Sequence, residues 1–553
     1  MQVETVHRIT GPHLLIPSTG AAVWLGIGEL EWAEYEPHFA QRLSQALEGL
    51  PIQSEFYTHV FKGGLALALI APPDLLYTAC AVLEWVTSDE PAQGELWDAI
   101  ASERAEEERP LLRDLHSWAR NAGLHAFDDE DAMSIGLGKL GQTWPLDTLP
   151  SLQELKPESF GQIPLVYLTG TNGKTTTTRM LARIAQKAGL TPGNTSSDGI
   201  VVNGNIVETG DWTGPGAART VLRHKDVDVA LLETARGGLM RRGLVVGHAD
   251  VAVVTNISAD HLGEWGLTDV HGLADAKLVV ARGLRPGGTL VVNADCPILM
   301  SALQRLPKTL LSSINILKFG LAPEDGNDSH LEAVIGARGI SFSHTEKFYL
   351  DADRIPLSLN GAALHNIYNA AAAGLAAQAL GWSQASIEAG LGSLKPNQHD
   401  SRGRANLYKV DEKYVLLDFA HNPGGLEMMA EFAKRFKPGN RYFLMGQAGD
   451  RSPQLIQELA EAAVSIGLQG VVVKNLPGHA YERDPNDVAT SQVQALIAAG
   501  QPAETIEHIE DEVEAARSLI ERAVPGSLTF LITHENVDGV MAMLREIGAE
   551  LDF

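Results

Sequence analysis

The residues with the clearest chemical capacity lie in GQIPLVYLTGTNGKTTTT, residues 161–178. Gly170 and Gly173 bracket a turn that holds one cation, Lys174, followed by a run of threonines. Glycines there let the backbone approach a polyphosphate, and a helix opening behind them offers unpaired N–H groups. Lys174 would meet the terminal phosphates and Thr175 would hold magnesium, so the expected chemistry is nucleotide binding and phosphoryl transfer. The elements that must position this turn are also legible. Ile163 to Leu168 is a short apolar run suited to a buried strand, and Met180, Leu181, Ile184, Ala185 and Ala188 recur at helical spacing. A glycine-rich turn with an incidental lysine is the bland alternative, and the strand-turn-helix context weighs against it.

The usual phosphate-loop spacing calls for a further glycine where this chain has Leu168. The shortened GTNGKTT turn resembles that of the Mur ligase and folylpolyglutamate synthetase superfamily. By that resemblance Gly170, Thr171, Asn172, Gly173, Lys174, Thr175 and Thr176 form the ATP cradle.

Composition sets bounds on everything else. A chain of 553 residues predicts about three domains. Lys plus Arg number 43 against 69 Asp plus Glu, a net charge of −26, which argues against a nucleic-acid or anionic-membrane binder. Two cysteines, Cys80 and Cys296, far apart in sequence, point to a reduced compartment. Neither a signal pattern nor an apolar span is present, so a cytoplasmic protein is the expectation.

Residues 1–95 mix apolar pieces with a helical PHFAQRLSQALEGLP and read as a small α+β domain. Residues 96–160 read as a charged amphipathic helix followed by a loop-like connecting arm. From 161 to 400, the runs VDVALLE, ADVAVVTN and GTLVVN alternate with helices, the rhythm of a doubly wound sheet. Ligands in such sheets sit beyond the carboxyl ends of the strands. After about residue 401, YVLLDFAHNPGG, RYFLMGQAGD, GVVVKN and LTFLITHEN read as a Rossmann-like domain running to 553. The fold class expected is therefore α/β, with a central ATP-binding domain, a C-terminal Rossmann-like domain and a small α+β domain in front.

Glu233 closes one apolar run, a placement that aims its carboxylate at a magnesium ion; a strand-capping glutamate is the plainer reading. In TNISADHLGEWG, Asp260 and His261 follow a strand directly. The resemblance implies that His261 binds a second magnesium and that Lys277, in ADAKLVVARGL, takes up carbon dioxide as a carbamate. From its own surroundings in the sequence, Lys277 is only a surface or salt-bridging lysine. Asn366 and Asn369, three apart on one helix, could pair with adenine edges or simply cap and face solvent. SRGRANLY and DFAHNPGG are similar to family elements through which Arg404, Asp418 and His421 reach the nucleotide across a cleft. Arg402 and Gly403 replace the proline and glycine of that pattern. MGQAGDRSP, with Asp450 and Arg451, resembles a loop facing the incoming amino acid.

The stretch TSSDGIVVNGNIVETGDWTGPGAARTVL with LLETARGGLMRRGL resembles the Mur-like half of cyanophycin synthetases, and RITGPHLL to KGGLALAL resembles their N-terminal domain. Their intervening ATP-grasp domain has no counterpart here, and Gly478 to Asp487 is less basic than the corresponding loop. The resemblance implies an ATP-dependent carboxylate-amine ligase working through an acyl phosphate. It would join an amino acid to an aspartate-containing peptide or polymer carboxylate, with ATP and one or two Mg2+ as cofactors. A folylpolyglutamate-type or cell-wall-type ligase, and a non-catalytic nucleotide-binding partner of a separate ATP-grasp enzyme, stay open as alternatives. A homo-oligomer and that ATP-grasp enzyme are the protein partners left open.

Overall fold

The computed structural model describes residues 2–26, 32–53, 56–61, 64–260, 263–323, 330–437 and 439–552. The α/β expectation holds. An 11-stranded sheet spans the middle of the chain and a 7-stranded sheet its end, with a 4-stranded sheet in front and a 3-stranded one between.

The central sheet is built on Leu165–Thr169. This strand lies parallel between Val229–Glu233 on one side and Ala249–Val254 on the other. Beyond Val229–Glu233 comes Pro192–Ser196, also parallel. The chain therefore fills one side first and then crosses to the other, and the crossing opens a crevice at the carboxyl end of Leu165–Thr169. Every residue of Leu165–Thr169 and of Val229–Glu233 is buried. This follows from apolar cover on both faces. Leu165 and Tyr167 enter one core, Val166 and Leu168 the other, in the strict alternation that a strand imposes.

The same alternation joins the first domain to the second. In Gly20–Gly26, Ala21, Val23 and Leu25 pack under the helices of the N-terminal domain. Ala22 and Trp24 point the other way, into the core that holds Tyr167 and Val254. Strand Gly64–Ile70 repeats this with Leu65, Leu67 and Leu69 against Ala66 and Ala68. Small alanines on the inner face let the two domains approach closely, so the N-terminal sheet shares a core with the central sheet.

Residues 96–160 depart from the expected helix and loop-like arm. The charged stretch is two helices, Glu95–Glu107 and Pro110–Asn121. Pro110 lacks an N–H and suits a first helical turn, so the chain restarts there. Ala126–Asp128, Ala132–Ile135 and Gln142–Pro145 form an antiparallel sheet. Strands of three or four residues are too short to show a period in sequence.

In the C-terminal sheet, Lys413–Asp418, Leu528–Ile532, Arg441–Met445, Gly470–Val473 and Ile506–His508 run parallel. Asn406–Val410 pairs antiparallel to the first of them.

The joint between the first two domains is expected to be acid-labile. His13 is fully buried; its Nε2 donates to Met240 O at 3.0 Å and its Nδ1 accepts from Leu15 N at 3.1 Å. The bond accepted by Nδ1 requires the neutral ring, and burial pushes its pKa down to about 4. The unfolded chain binds a proton near pH 6.5 and the folded one does not, so stability falls as pH drops from about 6.5 to about 4. The full effect is on the order of 3 kcal/mol. Denaturant unfolding of wild type and His13→Gln at pH 7 and pH 4.5 checks this; an equal loss in both proteins would acquit His13.

Candidate functional site

A cleft of about 1450 Å³ opens where the carboxyl ends of the central strands face the C-terminal domain. Its floor is the cradle. The apolar strand Leu165–Thr169 ends, the turn follows, and helix Lys174–Lys187 begins behind Gly173. Gly173 has φ +83, and a Cβ there would collide with the amide of Asn369. At Gly170 (φ +148) a Cβ would collide with Thr255 Oγ1. Both positions therefore demand glycine. The turn is braced by the neighbouring strand end: Asn172 N donates to Asn256 Oδ1 at 2.9 Å, and Thr255 Oγ1 and Asn256 Nδ2 donate to Asn172 O.

The charged groups converge above it. Lys174 Nζ donates to Thr171 O at 2.9 Å. Thr175 Oγ1 donates to Glu233 Oε1 at 3.3 Å and lies 3.2 Å from Ser197 Oγ. Glu233 is buried, and its Oε2 has no hydrogen-bond partner among the described residues. Burial pushes its carboxyl above the usual range, opposed by Lys174 and Arg404. Lys277, also buried, donates from Nζ to Gly170 O at 2.8 Å. Burial, reinforced by Lys174, lowers it to about 7.

These residues fit magnesium and nucleotide. A buried carboxylate oxygen without a partner beside a threonine hydroxyl is a hard-cation donor set. No group of three or more His, Cys, Asp or Glu suited to a metal occurs among the described residues. His261 lies outside the described residues.

Asn366 and Asn369 line the same cleft from helix Leu364–Ala379. Asn369 Nδ2 donates to Asn366 Oδ1, and Asn366 Nδ2 donates to Leu357 O. Thr177 Oγ1 donates to Asn369 Oδ1. The pair thus ties this helix to the cradle, and each amide nitrogen makes one hydrogen bond within the protein.

The C-terminal domain supplies the opposite wall. Arg404 Nη2 donates to Ser197 Oγ at 3.3 Å, and its guanidinium lies 4.9 Å over the Phe419 ring. Asp418 accepts from the backbone N–H of Ala405 and of Ala420, which fixes the turns at both. Asn172 and Asn422 exchange two amide hydrogen bonds, each 3.0 Å, so the cradle is clasped directly to the C-terminal domain. His421 Nε2 is 3.9 Å and Arg451 Nη1 3.7 Å from Asp260 Oδ1. His479 and Tyr481, from the loop Gly478 to Asp487, also line the cleft. Asp450 does not line it and stands 3.7 Å from Arg451.

Sequence reading passed over Ser197, Asn256 and the buried pair Lys474–Glu512. Ser197 follows the parallel strand Pro192–Ser196, a position that could have flagged it. Glu512 accepts from the backbone N–H of His534 and Asn536 and so shapes the wall they form. Nothing in the sequence around Glu512 announces that task.

Comparison with known proteins agrees with this architecture. The Mur ligase middle domain matches residues 168–377, and the Mur ligase, glutamate ligase domain matches residues 403–533. Cyanophycin synthetase of Trichormus variabilis is 34% identical over 407 residues, covering 71% of this chain and 43% of that protein. The chain thus spans less than half the length of that relative. The UDP-N-acetylmuramoyl-tripeptide–D-alanyl-D-alanine ligase of Synechocystis is 28% identical over 399 residues, covering 70% of this chain and 75% of that one. E. coli FolC in complex with DHPP and ADP shares the fold, with TM-score 0.52 and 20% identity, covering 69% of this chain and 89% of that one. No helix among the described residues is long and apolar enough to cross a membrane.

Proposed function

The chain belongs to the Mur ligase family, and from that premise we propose that it forms an amide or isopeptide bond between a carboxylate and an amine at the expense of ATP, through an acyl phosphate. The carboxylate is that of an aspartate-containing peptide or polymer and the amine that of an amino acid. The observation that carries this reading is the partnerless buried Oε2 of Glu233 beside Thr175 and Lys174 in a cleft walled by a second domain.

A carboxylate is a poor acylating agent because oxide is a poor leaving group. Its oxygen attacks the γ-phosphorus of ATP, the bond to the bridging oxygen breaks, and ADP leaves. The amine, as the free base, then attacks the acyl carbon; phosphate leaves, and the nitrogen loses one proton. Magnesium, when bound, offsets the negative charge that crowds the phosphates. Lys174 and the cradle N–H groups hold the terminal phosphate, and Glu233 with Thr175 would hold the metal. Arg404 reaches in from the C-terminal domain, so closure completes the site. The cleft volume exceeds that of an ordinary small-ligand pocket, which leaves room for nucleotide and both other substrates.

Carbamylation of Lys277 is part of the same proposal. Its support is burial that lowers this amine to about 7, so that a large share is neutral at physiological pH. The neutral nitrogen adds to carbon dioxide, one proton leaves, and a cation becomes an anion.

Phosphate release from Mg-ATP tests the main reading. Each standard amino acid and ornithine is paired with carboxylates including aspartyl peptides, a folate and a muramoyl peptide. The expected result is release that needs both partners, with a product lighter by one water than their sum. Activity confined to the folate or muramoyl arm would replace the proposed substrate. Tight ATP binding with no release in any arm would favour a nucleotide-binding partner of a separate ATP-grasp enzyme.

A further inference from the structure

The stretch 263–277 ends in the site, where Asp260 also stands. Asp260 lines the cleft, and Lys277 donates to Gly170 O beneath the cradle. Trp265 and Gly266 lie outside the cleft lining and dock on the N-terminal sheet. Trp265 sits in the left-handed region at φ +59, which costs a side-chain-bearing residue on the order of 1 kcal/mol or more. Such a conformation persists only where its surroundings impose it.

The surroundings here belong to another domain. The Trp265 ring lies 4.7 Å from that of His7 and 5.4 Å, edge-on, from that of Trp24. Pairs of this kind contribute about 0.5–1.5 kcal/mol each beyond area burial, enough to offset the backbone strain. The next residue, Gly266, has φ +69, and a Cβ there would stand 2.6 Å from the Phe61 ring. His7, Trp24 and Phe61 come from three strands of the N-terminal sheet. On the other flank, Glu264 pairs at 2.6 Å with Arg236, which lines the cleft. Asp269 then caps the helix Val270–Lys277, accepting from His271 N and Gly272 N.

We propose that Trp265 is a positioning residue through which the N-terminal sheet holds the stretch 263–277, and with it Lys277, in its magnesium-competent geometry. The first domain is then part of the catalytic scaffold. This rests on the ligase reading for the site's chemistry, but the ring cluster stands on its own.

The test is calorimetric binding of ADP to the full chain with and without magnesium, beside phosphate-release kinetics. Trp265→Ala is expected to weaken Mg-ADP binding about tenfold, as loss of an outer support of a metal site does. Metal-free ADP affinity and the KM for ATP at saturating magnesium stay unchanged, kcat falls, and Trp265→Phe restores binding to within about threefold. His7→Ala, which leaves the loop intact and removes one partner ring, shifts magnesium dependence in the same direction by about threefold. Wild-type magnesium dependence in Trp265→Ala, or in His7→Ala should the first variant fail to fold, overturns the proposal. So does an equal loss of metal-free ADP binding, which marks a merely structural role, or a Phe variant as impaired as Ala. Wild-type protein that binds Mg-ADP and makes no product sinks the ligase reading while leaving this comparison intact.

Discussion

Lys174→Ala is expected to lower ATP-dependent phosphate release about a thousandfold, the scale on which a preorganised group facing transition-state charge acts. Lys174 is the cation of the cradle itself, held by Thr171 O at 2.9 Å at the head of helix Lys174–Lys187. The helix N-terminus and the glycine turn survive the substitution, so ADP affinity falls far less than turnover. Lys174→Arg keeps the charge on a longer, planar group and does not restore the rate, because a site this enclosed selects geometry as well as sign. A phosphate-release assay paired with ADP calorimetry reads both quantities. Near-normal turnover in Lys174→Ala would remove the cradle from the mechanism.

Glu233→Gln is expected to separate stability from function. Wild-type Glu233 buries a carboxylate oxygen that has no partner among the described residues, which costs the metal-free protein about 1–3 kcal/mol or more. The amide has the same shape and carries no charge, so metal-free Glu233→Gln melts at or above the wild-type temperature. Its magnesium-dependent turnover drops by a factor of about 10² to 10³, and magnesium no longer raises the melting temperature in the presence of ADP. A variant that melts lower without metal, or that keeps the wild-type magnesium response, would show that Glu233 is an ordinary strand cap.

The cradle was legible because every part of it is local. A strand, a glycine-bracketed turn, a lysine and a helix lie within 30 residues, and each follows from short-range rules on apolar period, left-handed backbone and helix start. Glu233 was legible for a related reason: a carboxylate ending a fully apolar run has to sit at a strand's carboxyl end. The arm was less readable, since its strands of three or four residues show no period and its charged stretch hides a break at Pro110. Asn366 and Asn369 were identified on their helix face, but spacing could not say whether their amides are spent inside the protein.

By itself, then, the sequence determined the α/β class, the order of the three larger sheets and the glycine-bracketed strand-turn-helix, all consequences of interactions between residues close along the chain. Only the tertiary structure decided that Asn172 pairs with Asn422 across a separation of 250 residues. It alone placed Ser197 between Thr175 and Arg404, and Trp265 against His7 and Trp24. Contacts between such distant residues form when sheets pack and loops close, and that geometry depends on the whole core, so no local pattern in the chain encodes it.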